Sequence, residues 1–70
     1  MVEVFKTNVP DGGIAKKLLI FLTSQMPKCK INFDLEDCDR ILRVESATDV
    51  SSEVKKVMED KGFTCEELPE

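Results

Sequence analysis

The sequence predicts an α+β domain in which two helices cover one face of a four-stranded antiparallel sheet. Three observations carry that expectation. Residues 14–26 and 50–61 each gather their apolar side chains on one side of a helix with a period of about 3.6 residues. Cys29, Ile31, Phe33 and Leu35 alternate with Lys30, Asn32, Asp34 and Glu36, the pattern of a strand with one face buried and one wet. The polar run Glu36-Asp37-Cys38-Asp39 then separates that strand from a second alternation at residues 41–45, as a hairpin turn does. With a strand before the first helix and another after the second, the order is strand, helix, strand, strand, helix, strand. In a chain of 70 residues, which has room for one core and therefore one domain spanning 1–70, this is a ferredoxin-like βαββαβ sandwich, an α/β plait. Right-handed crossovers make the strand order 4-1-3-2.

The first strand, residues 2–9, alternates without declaring its inner face. Val2, Val4 and Lys6 share one side and Glu3, Phe5 and Thr7 the other; the preferred reading turns Val2 and Val4 inward. Pro10 has no N–H for the ladder and ends the strand, with Gly12 and Gly13 easing the turn. Asp11 is the expected N-cap of a helix beginning at Ile14, because its carboxylate can accept from the free N–H groups of the first turn. On that helix Ile14, Leu18, Phe21, Leu22 and Gln25 form the inner face, with Ala15, Leu19 and Met26 along its edge, and Pro27 stops it. After the hairpin, Leu42 and Val44 point inward and Ile41, Arg43 and Glu45 outward. Thr48 or Asp49 is the expected cap of the second helix, whose inner face is Val50, Val54, Val57, Met58 and the stem of Lys61. Gly62 is its C-terminal stop, residues 63–68 form the last strand, and Pro69 ends it.

Composition narrows the function classes. At 41% hydrophobic and 34% charged the chain is too apolar to remain disordered, and its longest apolar run, residues 18–22, is far too short to span a bilayer. Ten basic against fourteen acidic residues leave a net charge of −4, the wrong sign for phosphates, so neither nucleic acid nor a membrane surface is expected as a partner. The first residues show no basic stretch leading into an apolar segment and a small-residue cleavage site, and three widely spaced cysteines make a poor disulfide framework; the expected location is cytoplasmic. Histidine is absent, so no Ser-His or Cys-His nucleophile can form, and the chain is read as a non-enzyme. Gly12-Gly13 ahead of a helix lacks the Lys and the longer loop of a phosphate cradle, and the third strand lacks the aromatics of an RNA-binding sheet.

Val9-Pro10-Asp11-Gly12-Gly13-Ile14, followed by Ala15, Leu18 and Leu22, resembles the loop and first helix of heavy-metal-associated domains, whose signature is Met-Thr-Cys-x-x-Cys. The resemblance extends over nearly the whole chain: Phe33-Asp34-Leu35-Glu36 is similar to the family's Val-Asp-Leu strand, and residues 57–63, Val-Met-Glu-Asp-Lys-Gly-Phe, to its Ile-Glu-x-x-Gly-Tyr or Gly-Phe ending. It implies the same sandwich. The departure falls on the metal loop, where Asp11 and Ile14 stand in the places of the two metal-binding cysteines and Val9 in that of the buried Met. Cu(I) favours soft thiolates; Ile offers no donor and one Asp is a hard ligand, so this loop is expected to bind no metal and the chain no cofactor.

The leading expectation is therefore an interaction module that keeps this fold without its metal site. The alternative is a noncanonical metal-binding or thiol-redox protein holding Cu(I) or Zn(II) through Asp11, Cys38 and Cys65, which the topology brings to one end of the molecule while Cys29 lies at the other. Cys29 and Cys65 are expected to be buried and Cys38 exposed. A small-ligand or catalytic role comes third. For the interaction module the expected contact residues are Phe5 and Ile41 on the outer sheet face, rimmed by Lys30, Asp34 and Arg43, and separately Ile20, which lies about 240° around the first helix from Ile14 among lysines. The expected partner is another protein or, in weak self-association, a second copy.

Overall fold

In the computed structural model, which describes residues 1–36 and 38–69, β1 (Val2–Thr7), α1 (Gly12–Gln25), β2 (Lys30–Asp34), β3 (Ile41–Glu45), α2 (Ser51–Asp60) and β4 (Cys65–Leu68) follow in the expected order. The sheet runs β2-β3-β1-β4, the predicted arrangement read from its other edge, and all three pairings are antiparallel. It is a ferredoxin-like sandwich. The register lines up Phe5, Leu42 and Phe33 in one row across the helix-facing side, with Glu3, Val44 and Ile31 in the next. Above those rows Ala15, Leu18 and Leu22 of α1 and Val54 and Met58 of α2 complete the core, joined by Val9 and Cys65.

That register corrects the reading of the first strand. Phe5 is fully buried and Glu3 and Thr7 nearly so, whereas Val2 is 39% exposed and Val4 half-buried on the outer face. Phe5 lies opposite Leu42, whose inward orientation the β3 alternation requires, so the parity of β1 follows from its partner. Burial favours this phase as well: one Phe ring, together with the later Val9 of the same parity, removes more apolar area from water than two small valines. Phe5 therefore drops out of the proposed outer contact surface. Ile41 does point outward, opposite Lys6 and Asp34, yet it retains only 7% of its exposure and offers little area to a partner.

Asp11 caps α1 as expected, with extended backbone and its Oδ1 accepting the Ile14 N–H at 2.9 Å. The helix starts two residues earlier than predicted, so Gly12 and Gly13 lie in its first turn and neither has a positive φ. A Cβ on Gly13 would stand 3.3 Å from the capping carboxylate; that glycine leaves room for the cap. The inner face of α1 is rotated toward Ala15, leaving Ile14 and Phe21 half-buried and Gln25 exposed.

The second helix departs further. Its N-cap is Val50, which has no side chain to cap with, and neither Thr48 nor Asp49 takes the position. Two carboxylates share the task. Asp49 Oδ1 accepts from the N–H and hydroxyl of Ser51 at 2.9 and 2.7 Å, and Glu3 Oε1 reaches up from the sheet to accept the Val50 N–H at 3.0 Å. Burying Glu3 on the helix side of β1 is thus compensated by a helix start that needs an acceptor. Past the end of the helix at Asp60 and its cap Lys61, Gly62 turns the chain away with φ 89°, a left-handed conformation that costs glycine little. β4 begins two residues later than predicted, after Phe63 has packed against the core.

Candidate functional site

The loop between β1 and α1 is the position to which the family resemblance assigns a metal, and it is held from both neighbouring segments. Val9 anchors it in the core. On one side the hairpin is bound to it: the Thr7 N–H donates to Asp39 O at 3.1 Å, the Thr7 hydroxyl donates to Arg40 O at 2.6 Å, and Arg40 Nη1 donates to Pro10 O at 2.9 Å. Arg40 adopts a left-handed backbone, φ 50°, unusual for a residue other than Gly or Asn, and that turn aims its guanidinium at the loop. An ion pair between Lys6 and Asp39, 3.7 Å apart, adds to the same junction. On the other side the Thr64 N–H donates to Asn8 Oδ1 at 2.9 Å, tying the loop to the start of β4.

Within this frame Asp11 and Ile14, the positions that the sequence resemblance sets against the family's cysteines, are joined by a helix-cap hydrogen bond. Asp11 uses its carboxylate on the helix start, and Ile14 supplies the N–H that it binds. Cys65 is at the same end, on the inner face of β4 opposite Thr7, and only 8% exposed. Burial pushes its thiol up to about 12, with the nearby Lys55 acting in the opposite direction and Glu59 and Glu67 reinforcing the rise. At neutral pH and without a metal it is a neutral thiol, the wrong form for a nucleophile, and a metal would have to displace its proton to bind. Cys38 is exposed in the hairpin turn; the adjoining Asp37 lies outside the described residues. Cys29 is half-buried at the opposite end, beside Met26 and Val50, rather than in the core as expected.

Asp11, Cys38 and Cys65 thus share one end of the molecule without forming a common site. Among the described residues no group of three or more His, Cys, Asp or Glu side chains is placed to hold a metal ion. The expected contact residue Ile20 is 64% exposed, and lies on a helical surface with Lys17, Phe21, Lys61 and Phe63, where the Lys61 ammonium stands 4.1 Å from the Phe21 ring centre.

Sequence reasoning missed two positions, Arg40 and Glu3. Nothing local marks Arg40 as left-handed, because the turn has no Asn-Gly or Asp-Gly pair. For Glu3 the signal was available: Phe5 and Val9 share its parity, and that phase carries it inside.

Among the described residues no helix is long and apolar enough to cross a membrane. No protein-family model matches the sequence, and no curated protein does. Solved structures do match the fold. The solution structure of the N-terminal domain of ZntA in the apo-form superposes with a TM-score of 0.73 over 97% of this chain and 92% of that one, at 12% identity. The Zn(II)-form of the same domain gives 0.69 over 94% and 89%, also at 12% identity. The arrangement of two helices on a four-stranded antiparallel sheet, the ferredoxin-like fold, is therefore shared with the ZntA domain.

Proposed function

We propose that this chain is a non-catalytic interaction module, acting in the cytoplasm, that retains the heavy-metal-associated architecture without its metal loop. The observation that carries this reading is the 2.9 Å bond between Asp11 Oδ1 and the Ile14 N–H. It occupies both positions where the family has thiolates with a helix cap. A site using Cys38 and Cys65 in their place has less support, because Cys65 is buried as a neutral thiol. The partner is another protein or a second copy, met on the helical side around Ile20; the net charge of −4 disfavours nucleic acid and anionic lipid.

Titration of the reduced protein with Cu(I) and with Zn(II) against a competing chelator tests the reading. Wild type is expected to leave the metal with the chelator, and Asp11→Cys combined with Ile14→Cys to withdraw it. A stoichiometric wild-type complex that survives competition sinks the proposal. A folded double mutant that binds no better than wild type shows instead that this loop does not have the shape of the family's.

A further inference from the structure

At the end of the sheet opposite the first loop, carboxylates from three segments surround one open pocket of about 370 Å³: Glu3 of β1, Asp49 ahead of α2 and Glu67 of β4. The rest of its wall is mainly apolar, from Val2, Leu68, Pro69 and Met1. Glu3 is only 5% exposed, and while Oε1 accepts the Val50 N–H, Oε2 is buried with no hydrogen-bond partner. Asp49 directs its Oδ1 to Ser51. No cation neutralises the group: among the described residues none of the three carboxylates has an ion pair, and the Met1 α-amino group at the pocket's edge donates to Ser46 O at 2.8 Å instead.

A buried carboxylate oxygen without a donor is unfavourable, and two further carboxylates nearby make it more so. Burial raises the Glu3 carboxyl above its ordinary range, the Val50 N–H opposes that rise, and the charges of Asp49 and Glu67 add to it. The missing component is a positively charged donor. A metal ion would need ligands arranged around it, and no such group of three is present among the described residues. An ammonium needs only acceptors at hydrogen-bonding distance, and a methylene chain attached to it suits the apolar wall.

We propose that this pocket binds a primary alkylammonium group, with Glu3 Oε2 accepting from its N–H donors, Glu67 and Asp49 supplying the field, and Val2, Leu68 and Pro69 packing along its chain. The ligand is a free aliphatic amine or a lysine side chain, and the site stands independently of the function proposed above. It lies away from the loop of Asp11 and Ile14.

The test follows ¹⁵N shifts of the full chain at neutral pH during titration with n-butylammonium chloride, with tetramethylammonium chloride, which has no N–H donor, at matched ionic strength. The expected result is saturable shifts at Val2, Glu3, Val50 and Leu68 with n-butylammonium alone, weakened about tenfold in Glu3→Gln, the loss of a charge-assisted hydrogen bond. If Glu3→Gln does not fold, Glu67→Gln must weaken binding instead. Parallel titrations with cadaverine and with Nα-acetyl-lysine amide separate the two sources, the tighter ligand assigning the class. Equal shifts with both ammonium salts, no saturation, or binding unchanged in the folded variants would overturn the proposal. So would a Glu3 carboxyl carbon resonance showing a protonated acid at neutral pH, because a proton shared with Asp49 would then satisfy the oxygen.

Discussion

Replacing Phe5 with Ala, alongside Val2 with Ala, tests the orientation of β1 and hence which surfaces this domain presents. Phe5 is wholly buried in the core cluster, in the row with Leu42 and Phe33, so its truncation removes a complete aromatic side chain from the core. Such replacements cost about 3–5 kcal/mol, transfer and cavity together. A domain of 70 residues is stable by roughly 0.05–0.15 kcal/mol per residue, or about 3.5–10 kcal/mol in all. Phe5→Ala is therefore expected to remove more than a quarter of the stability, and to leave the protein unfolded if the total lies at the lower end. Val2, on the outer face and 39% exposed, is expected to cost less than about 1 kcal/mol on truncation, most of it strand preference. Urea unfolding followed by circular dichroism measures both, with the slope unchanged if the denatured state is unaltered. Should Val2→Ala prove as costly as Phe5→Ala, or Phe5→Ala leave the midpoint where it was, the inward face of β1 is wrong, and with it the burial of Glu3 and the pocket beside it.

Glu3→Gln, measured without added amine, is expected to raise stability at neutral pH by on the order of 1 kcal/mol, because Gln keeps an acceptor for Val50 and removes the buried charge. The sign follows from linkage: the folded Glu3 carboxyl is raised above its ordinary value of 4.5, so the native state binds more protons just above that pH and wild type loses stability as pH rises through this window. Asp49, lowered in the folded state chiefly by the Ser51 N–H, acts oppositely and contributes stability that is lost as pH falls below its ordinary 3.8. Chemical unfolding across a pH series compares the variant with wild type, and a difference that is absent or grows toward acid pH contradicts the burial of a charged Glu3. Alkylation at mildly alkaline pH, read by peptide mass spectrometry, is expected to modify the exposed Cys38 first and Cys65 only on unfolding; early labelling of Cys65 would contradict its placement. Gly62→Ala is expected to destabilise by about 1 kcal/mol or more in thermal unfolding, from backbone conformation rather than crowding, since a Cβ there meets nothing within 4 Å; an unchanged midpoint would count against the positive φ.

Much of this fold was legible without coordinates because its signals are local. The alternation from Cys29 to Leu35, the apolar stripe through Leu18 and Leu22, the cap at Asp11 and the stop at Gly62 each lie within one segment, where periodicity and backbone preference act directly. Element order with right-handed crossovers then sufficed for the strand order. The role of Asp11 as the cap of the first helix could likewise be read from the chain, and the structure added that the Ile14 N–H is the group that donates to it.

Only the tertiary structure decided what happens between segments. β1 has apolar residues on both faces, so pairing with β3 determined that Phe5 goes in, and Glu3 goes in with it. The start of α2 carries no capping side chain at Val50, yet it is served by a carboxylate 47 residues earlier in the chain. Arg40 clamps the first loop from a hairpin 30 residues away, and Cys65 becomes a buried thiol whose pKa is raised because β4 lies with that face under α2. Each of these depends on strand register and on the placement of a helix over the sheet, which no single segment encodes; one residue of register reverses every side chain of a strand and would exchange the buried carboxylate for a valine.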